Sequence, residues 1–316
     1  MDKALKILAC GSALPKGKLT NFDFEKMVDT SDEWIKERTG IEERRICGQG
    51  ENAKSLAIEA AALAIKRAKE QDKDFSEDKI GAILVASTTH DEYLPSIACY
   101  IQEALNLPDR VLAFDLEAAC SGFVFGMKTA AALLNSYPEK YVLLVGAESL
   151  SSFTDYEDRG TCILFGDGAG AAVVTLADSD SGFACVSHAT GNNTVLGARH
   201  GAKLHMEGQE VFKFATRVVV SAIGELLEES KLTLDDIDFV ICHQANARII
   251  DYVKRKFKGH EDKFLMNIKN LGNTSAASIP IVLDEFKTKG ILKEGMKIVT
   301  VGFGGGLTWG AALIEL

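Results

Sequence analysis

Cys120 stands in DLEAACSGFVFGMKTAAALL, residues 115–134, where an apolar approach turns into a helix. Phe123, Met127, Ala130 and Leu134 recur at helical spacing, which puts Cys120 in the first turn. The positive end of the helix dipole and unpaired backbone N–H groups favour thiolate over thiol there, so the placement predicts a depressed pKa and a nucleophile. A cysteine is more often a small buried apolar residue, and this stretch alone does not decide between the two uses. His243, in ICHQANARII, follows an apolar run of strand type, and Asn273, in NLGNTSAASIP, stands at the start of a helical pattern. Singly, such a histidine is usually structural and an Asn before Thr-Ser is usually a cap. Three chemically capable residues at matching ends of strands and helices are harder to assign to packing alone.

The elements that must position them recur twice. A strand is expected over Lys3–Cys10 and a turn-rich loop over Gly11–Lys18; Asp29, Thr30 or Ser31 can cap a short helix carrying Trp34. Ser55–Lys69 reads as a helix, Asp78–Ser87 as a strand covered on both faces, Ser96–Leu105 as a helix and Val111–Asp115 as a strand. YVLLVG, residues 141–146, is a further buried strand. The pattern then repeats. Helix Val211–Glu229 leads into IDFVICHQAN, as helix Ser55–Lys69 leads into IGAILVASTT; Ile237 lies 157 residues after Ile80, and Lys297 of KIVTVG lies 157 residues after Lys140 of KYVLLVG. The closing GGGLTWGAALIEL is similar to GDGAGAAVVTL. One offset shared by several strands argues for two βαβ-rich halves related by duplication, which brings equivalent strand and helix ends together around a pseudo-twofold axis.

Composition excludes several classes. The chain has 316 residues, 47% of them hydrophobic, enough for a large core. No apolar run is long enough to span a membrane, and MDKALKILACGSALPKG is too short in its apolar part for a secretory signal, so a cytoplasmic protein is expected. Seven cysteines without a CxxC pair argue against a disulfide framework and against a structural metal site. A net charge of −10 disfavours nucleic acid or an anionic membrane as a general partner. Gly166, Gly168 and Gly170 have phosphate-loop spacing, but no Lys-Ser/Thr follows and an apolar run stands where the helix should begin; a tight turn into a strand is the simpler account.

LTNFDFEKMVDTSDEWIKERTGI, AACSGF, DRGTCILFGDGAGAA, MEGQEVFKFA, HQANARI, NTSAASIP and GFGGGLTWGAAL, in this order over nearly the whole chain, resemble the β-ketoacyl-acyl-carrier-protein synthase III enzymes of the thiolase superfamily. The resemblance implies an α/β thiolase fold of five layers, α-β-α-β-α, normally a homodimer. Residues 1–176 form the half with the nucleophile on this reading, and residues 177–316 the half with His243 and Asn273. It implies that Cys120 is acylated by a short acyl-CoA, with acetyl-CoA as the expected primer. His243 and Asn273 then serve decarboxylation of malonyl-acyl-carrier protein and condensation, and the backbone N–H groups of Cys120 and Gly305 form the oxyanion hole. No cofactor is bound permanently; acyl-CoA is a substrate. Trp34 and Arg159 resemble the pair that holds the CoA adenine, while Arg38 and Asn246 would contact its phosphate and pantetheine regions. Lys213, Gln244, Arg248, Arg255 and Lys256 are the expected contacts of the acidic carrier protein. Arg248 and Arg255, seven apart, are expected on one helix face.

One departure from the family pattern bears on the substrate. Many members carry an aromatic before Pro95, closing the acyl pocket of the neighbouring subunit; this chain has Leu94, which leaves room for longer or branched primers. A relative specialised for secondary metabolism, or for acyl transfer without decarboxylation, is the runner-up. A papain-like hydrolase shares the chain order Cys, His, Asn, but the CGSCW-type signature is absent, and Asn273 is expected to face substrate instead of orienting His243. A carrier-binding protein without activity would not need the intact Cys/His/Asn set.

Overall fold

The computed structural model describes residues 2–137, 140–199 and 201–316. The first half runs β1 (Asp2–Ala13), α1 (Asp32–Thr39), α2 (Ala53–Gln71), β2 (Ile80–Ala86), α3 (Ile97–Ala104), β3 (Leu112–Leu116), α4 (Gly122–Ser136), β4 (Tyr141–Glu148) and β5 (Gly168–Ser179). The second runs β6 (Cys185–Asn192), α5 (Gly208–Ser230), β7 (Phe239–Cys242), α6 (Ala247–Lys254), α7 (Ser278–Thr288), β8 (Lys297–Gly304) and β9 (Gly306–Glu315). Of the three candidate caps near Trp34, Ser31 is the one used: its Oγ accepts the Trp34 N–H at 3.1 Å.

One strand order serves both halves. In the first it is β3-β2-β4-β5-β1, with β2 parallel to β3 and β4, and β5 antiparallel to β4 and β1. In the second, β7, β8, β9 and β6 repeat the last four places with the same senses. The outermost place shrinks to a single parallel bridge between Val240 and Phe264. The two sheets meet where β1 and β9 run parallel at Lys6 and Glu315.

Alternation along the strands builds the layers. Leu84 and Leu144 of the first sheet and Ile241 and Ile298 of the second face inward, onto a central layer formed by α4 and α7. Ile83, Val85, Leu143 and Val145 face α2 and α3 on one outside; Val240, Val299 and Val301 face α5 and α6 on the other. This is the five-layered α-β-α-β-α arrangement. Strands buried on both sides explain the near-continuous apolar runs in the sequence.

Two expectations need correction. β1 continues to Ala13, so Gly11 lies in a strand and not in a loop; α2 packs so closely there that a Cβ on Gly11 would stand 2.5 Å from the Ala64 nitrogen. The first half also does not end at Leu176, because β5 remains paired with β1 as far as Ser179. The Gly166–Gly170 stretch opens this strand, and Gly170 is there because α7 lies against it, with Ile281 N only 2.8 Å from where a Cβ would be.

Candidate active site

A cavity of 1490 Å³ gathers Cys120, His243 and Asn273, with Trp34, Arg38, Lys213, Asn246, Arg248 and Gly305 also on its wall. Each of the first three comes from an element end. Cys120 occupies a short 3-10 turn, Ala119–Ser121, that feeds α4. His243 follows the last residue of β7, and Asn273 precedes the 3-10 turn Ser275–Ala277 that feeds α7. The two turns are duplicates in geometry as well as place. Each begins with a non-glycine residue at positive φ, Ala119 at 45° and Ser275 at 49°, a backbone cost that clusters at functional sites.

Close packing fixes the nucleophile. A Cβ on Gly304 would lie 2.7 Å from the Cys120 nitrogen, and one on Gly302 would lie 2.9 Å from the Ser121 Cα. Thr308 ties the two sides together: its hydroxyl hydrogen-bonds with Ser121 Oγ and lies 3.2 Å from the Ala118 carbonyl and 3.1 Å from that of Gly305. The depressed thiol pKa expected from the helix terminus is overturned. Burial pushes the Cys120 thiol up to about 12, and the Glu148 charge adds to this, while the Ser275 hydroxyl and the Cys120 N–H pull only partly the other way.

His243 is 1% exposed, and burial pushes its pKa down to about 3, with the Ser275 carbonyl opposing. It is a neutral imidazole. Its Nδ1 lies 2.7 Å from Ser278 Oγ, which also accepts the Gln244 N–H at 3.3 Å. The Ser278 hydroxyl thus holds both the ring and the chain beside it, and it can pair with either neutral tautomer of His243. Asn273 Oδ1 accepts the Ser275 N–H at 2.9 Å, which fixes the amide orientation and leaves the NH₂ end as the donor. Ser278 orients His243, and Asn273 is bonded to its own turn. A neutral thiol and a neutral imidazole on one cavity wall are not the ion pair of a cysteine protease.

The remaining residues named from the sequence distribute unevenly. Two guanidinium groups stack on Trp34, Arg159 at 4.9 Å and Arg38 at 5.9 Å from the ring centre, and Arg159 also donates to the Asp29 carbonyl at 2.9 Å. The Arg159 contact leaves no room for a base between the two, so Arg159 has to yield before a nucleotide can stack there. Asn246 caps α6 through Oδ1 and donates to the Arg38 carbonyl at 3.1 Å. Lys213 pairs with Glu210 at 2.8 Å, Arg248 lies over Phe212 and Lys256 over Tyr252. Arg255 is exposed just past the last residue of α6. Gln244 is a correction: it is 1% exposed, and its carboxamide is spent on the Cys242 carbonyl at 2.7 Å and the Asn267 N–H, so it presents nothing to a partner. Leu94 is 84% exposed, in a loop away from the cavity wall of its own chain.

Ser275, Ser278, Gly304, Thr308 and Glu148 escaped notice in the sequence. The first four lie inside quoted motifs, where nothing in their type announced their partners. Glu148 did carry a signal, a carboxylate closing the doubly covered strand YVLLVGAE.

The family description "3-Oxoacyl-[acyl-carrier-protein (ACP)] synthase III" matches residues 114–193, and its C-terminal counterpart matches residues 227–316. The β-ketoacyl-[acyl-carrier-protein] synthase III of Clostridium acetobutylicum is 43% identical, over 99% of this chain and 98% of its own. The enzyme of the same name from Acholeplasma laidlawii is 44% identical, also over 99% and 98%. The crystal structure of 3-oxoacyl-[acyl-carrier-protein] synthase III from Aquifex aeolicus superposes with a TM-score of 0.92 at 43% identity, covering 99% of this chain and all of that one.

Proposed function

Because the chain belongs to the 3-oxoacyl-[acyl-carrier-protein] synthase III family, we propose that it condenses a short acyl-CoA, acetyl-CoA in the first instance, with malonyl-acyl-carrier protein. The product is a 3-oxoacyl-acyl-carrier protein, the first intermediate of a fatty acid. The observation that carries this reading is the convergence of Cys120, neutral His243 and the Asn273 NH₂ group on one cavity.

Cys120 sulfur attacks the acyl-CoA thioester carbonyl, and the oxyanion takes hydrogen bonds from the Cys120 and Gly305 N–H groups before CoA leaves. Malonyl-acyl-carrier protein then enters. Its C–CO₂ bond breaks, and the electron pair forms an enolate whose oxygen accepts from His243 Nε2–H and Asn273 Nδ2–H. No strong base is needed. The enolate carbon attacks acyl-Cys120, the new C–C bond forms and the Cys120 sulfur is released. The first half supplies the nucleophile and the second half both donors to the enolate.

Trp34 and Arg159 take the adenine, Arg38 the phosphates, and Asn246 the pantetheine path. Lys213, Arg248, Arg255 and Lys256 receive the acidic carrier protein. The exposure of Tyr93 and Leu94 supports a homodimer in which Leu94 reaches the acyl pocket of the second copy. Seven unpaired cysteines support a reducing, cytoplasmic setting.

Intact mass after incubation with acetyl-, isobutyryl- and hexanoyl-CoA tests the first step. An acyl increment is expected on the native protein and none on Cys120→Ala, with acetyl fastest; preference for hexanoyl would defeat the acetyl assignment. His243→Ala is expected to keep appreciable acylation and lose malonyl decarboxylation. Equal loss of both would mean that its role is misassigned.

A further inference from the structure

The chemistry above leaves a buried carboxyl beside the nucleophile without a task. Glu148 ends β4, is 0% exposed, and stands two residues after Gly146, hence on the same face of the strand. That face looks onto the turn holding Ser275, for a Cβ on Gly146 would come within 2.3 Å of the Ala276 carbonyl. Glu148 Oε2 accepts from Thr88 N–H and Oγ1, each at 3.1 Å, and from Thr89 Oγ1 at 2.7 Å. Oε1 is buried with no hydrogen-bond partner among the described residues. Buried polar atoms normally find partners, so a carboxylate with one crowded oxygen and one bare oxygen calls for a reason.

Ser275 connects this carboxylate to the cavity. It lines the wall with Cys120, and its hydroxyl favours the charged form of both neighbours, the Cys120 thiolate and the Glu148 carboxylate. Acylation requires that the Cys120 proton go somewhere. His243 is a poor acceptor, being held neutral down to about pH 3, and Asn273 has no basic atom. Glu148 is the carboxylate whose charge Cys120 feels, and burial raises its proton affinity above the ordinary carboxylate range.

We propose that Ser275 and Glu148 form a proton relay that takes the Cys120 proton during acylation and returns it to the departing CoA sulfur. This rests on the acyl-transfer reading of Cys120. As the sulfur–carbon bond to the acyl group forms, the Cys120 proton passes to Ser275 Oγ while the Ser275 hydroxyl proton passes to the Glu148 carboxylate. When the bond to the CoA sulfur breaks, the proton runs back by the same route. CoA leaves as the thiol, the carboxylate is restored, and nothing is oxidised or reduced.

Four proteins test the relay: native, Glu148→Gln, Ser275→Ala and the double variant. Acyl-enzyme formation from acetyl-CoA is followed by quenched-flow intact mass, and alkylation of Cys120 by iodoacetamide is followed in parallel. Each single variant is expected to acylate at least about tenfold more slowly, in keeping with loss of a proton acceptor. The double variant should be no slower than the worse single one, since both break one route. Glu148→Gln should alkylate as fast as the native protein or faster, because a nearby negative charge has gone. Acylation within twofold of native, multiplying losses in the double variant, or acylation and alkylation falling together in Glu148→Gln would overturn the relay. If Glu148→Gln does not fold, Ser275→Ala alone decides by its acylation rate. A native protein that takes up no acyl group would instead overturn the acyl-transfer reading, and the relay with it.

Discussion

Cys120 stands where a helix field favours its thiolate, yet desolvation, with the Glu148 charge behind it, keeps the thiol protonated at rest. Desolvation outweighs the dipole because the dipole acts as a partial charge at the helix end, whereas burial acts on the whole charge of the thiolate. At His243 the same desolvation produces the neutral donor that the chemistry needs. It also has a cost in acid. The native pKa, about 3, lies below the ordinary 6.5, so between those values the unfolded chain binds a proton that the native site refuses. Stability therefore falls as the pH drops from 6.5 towards 3. Urea midpoints across this range should decline less steeply for His243→Gln than for the native protein, and parallel declines would refute the assignment. Ser278→Ala removes the hydroxyl paired with His243 Nδ1, and a decarboxylation rate on the order of tenfold lower, with acylation spared, is expected from the loss of the ring's anchor.

Among the elements, the β8–β9 hairpin and the turn before α4 act as a unit. Gly304 sits against Cys120, while a Cβ on Gly305 would find its nearest neighbours at 3.7 Å. Adjacent glycines thus differ in kind. Gly304→Ala is expected to displace the nucleophile and lower acyl-enzyme formation at least about tenfold, whereas Gly305→Ala, which keeps its N–H, should stay within a few-fold of native. Rates measured side by side would sink this account if the two variants behaved alike. Most helices and strands were legible in the sequence, their boundaries shifted by only a few residues, but β6 and the short strand pair Gly17–Thr20 and Glu43–Ile46 were not. Their ends were less so. A hydrophobic period says where a helix runs, but not that Ala119 and Ser275 enter it through positive φ.

On the scale of the whole molecule, a chain with a net charge of −10 carries Arg248, Arg255 and Lys256 along one helix and its flank, Arg248 on the cavity wall. A local patch of that kind steers an acidic partner despite the overall sign. Charge reversal at Arg255 and Lys256 together should raise KM for malonyl-acyl-carrier protein about tenfold or more, with acylation by acetyl-CoA unchanged. A matching loss with the small substrate would place the effect elsewhere. The sequence by itself determined the two-fold repeat of apolar strands, because periodicity and spacing are local properties written along the chain; the five layers it implied only through the resemblance of the motifs around Cys120, His243 and Asn273 to a known family. Only the tertiary structure decided what those residues are chemically. Burial raised the thiol, neutralised the imidazole, withdrew Gln244 from the surface and brought Glu148 beside the nucleophile. These depend on desolvation and on neighbours remote along the chain, which no local pattern encodes.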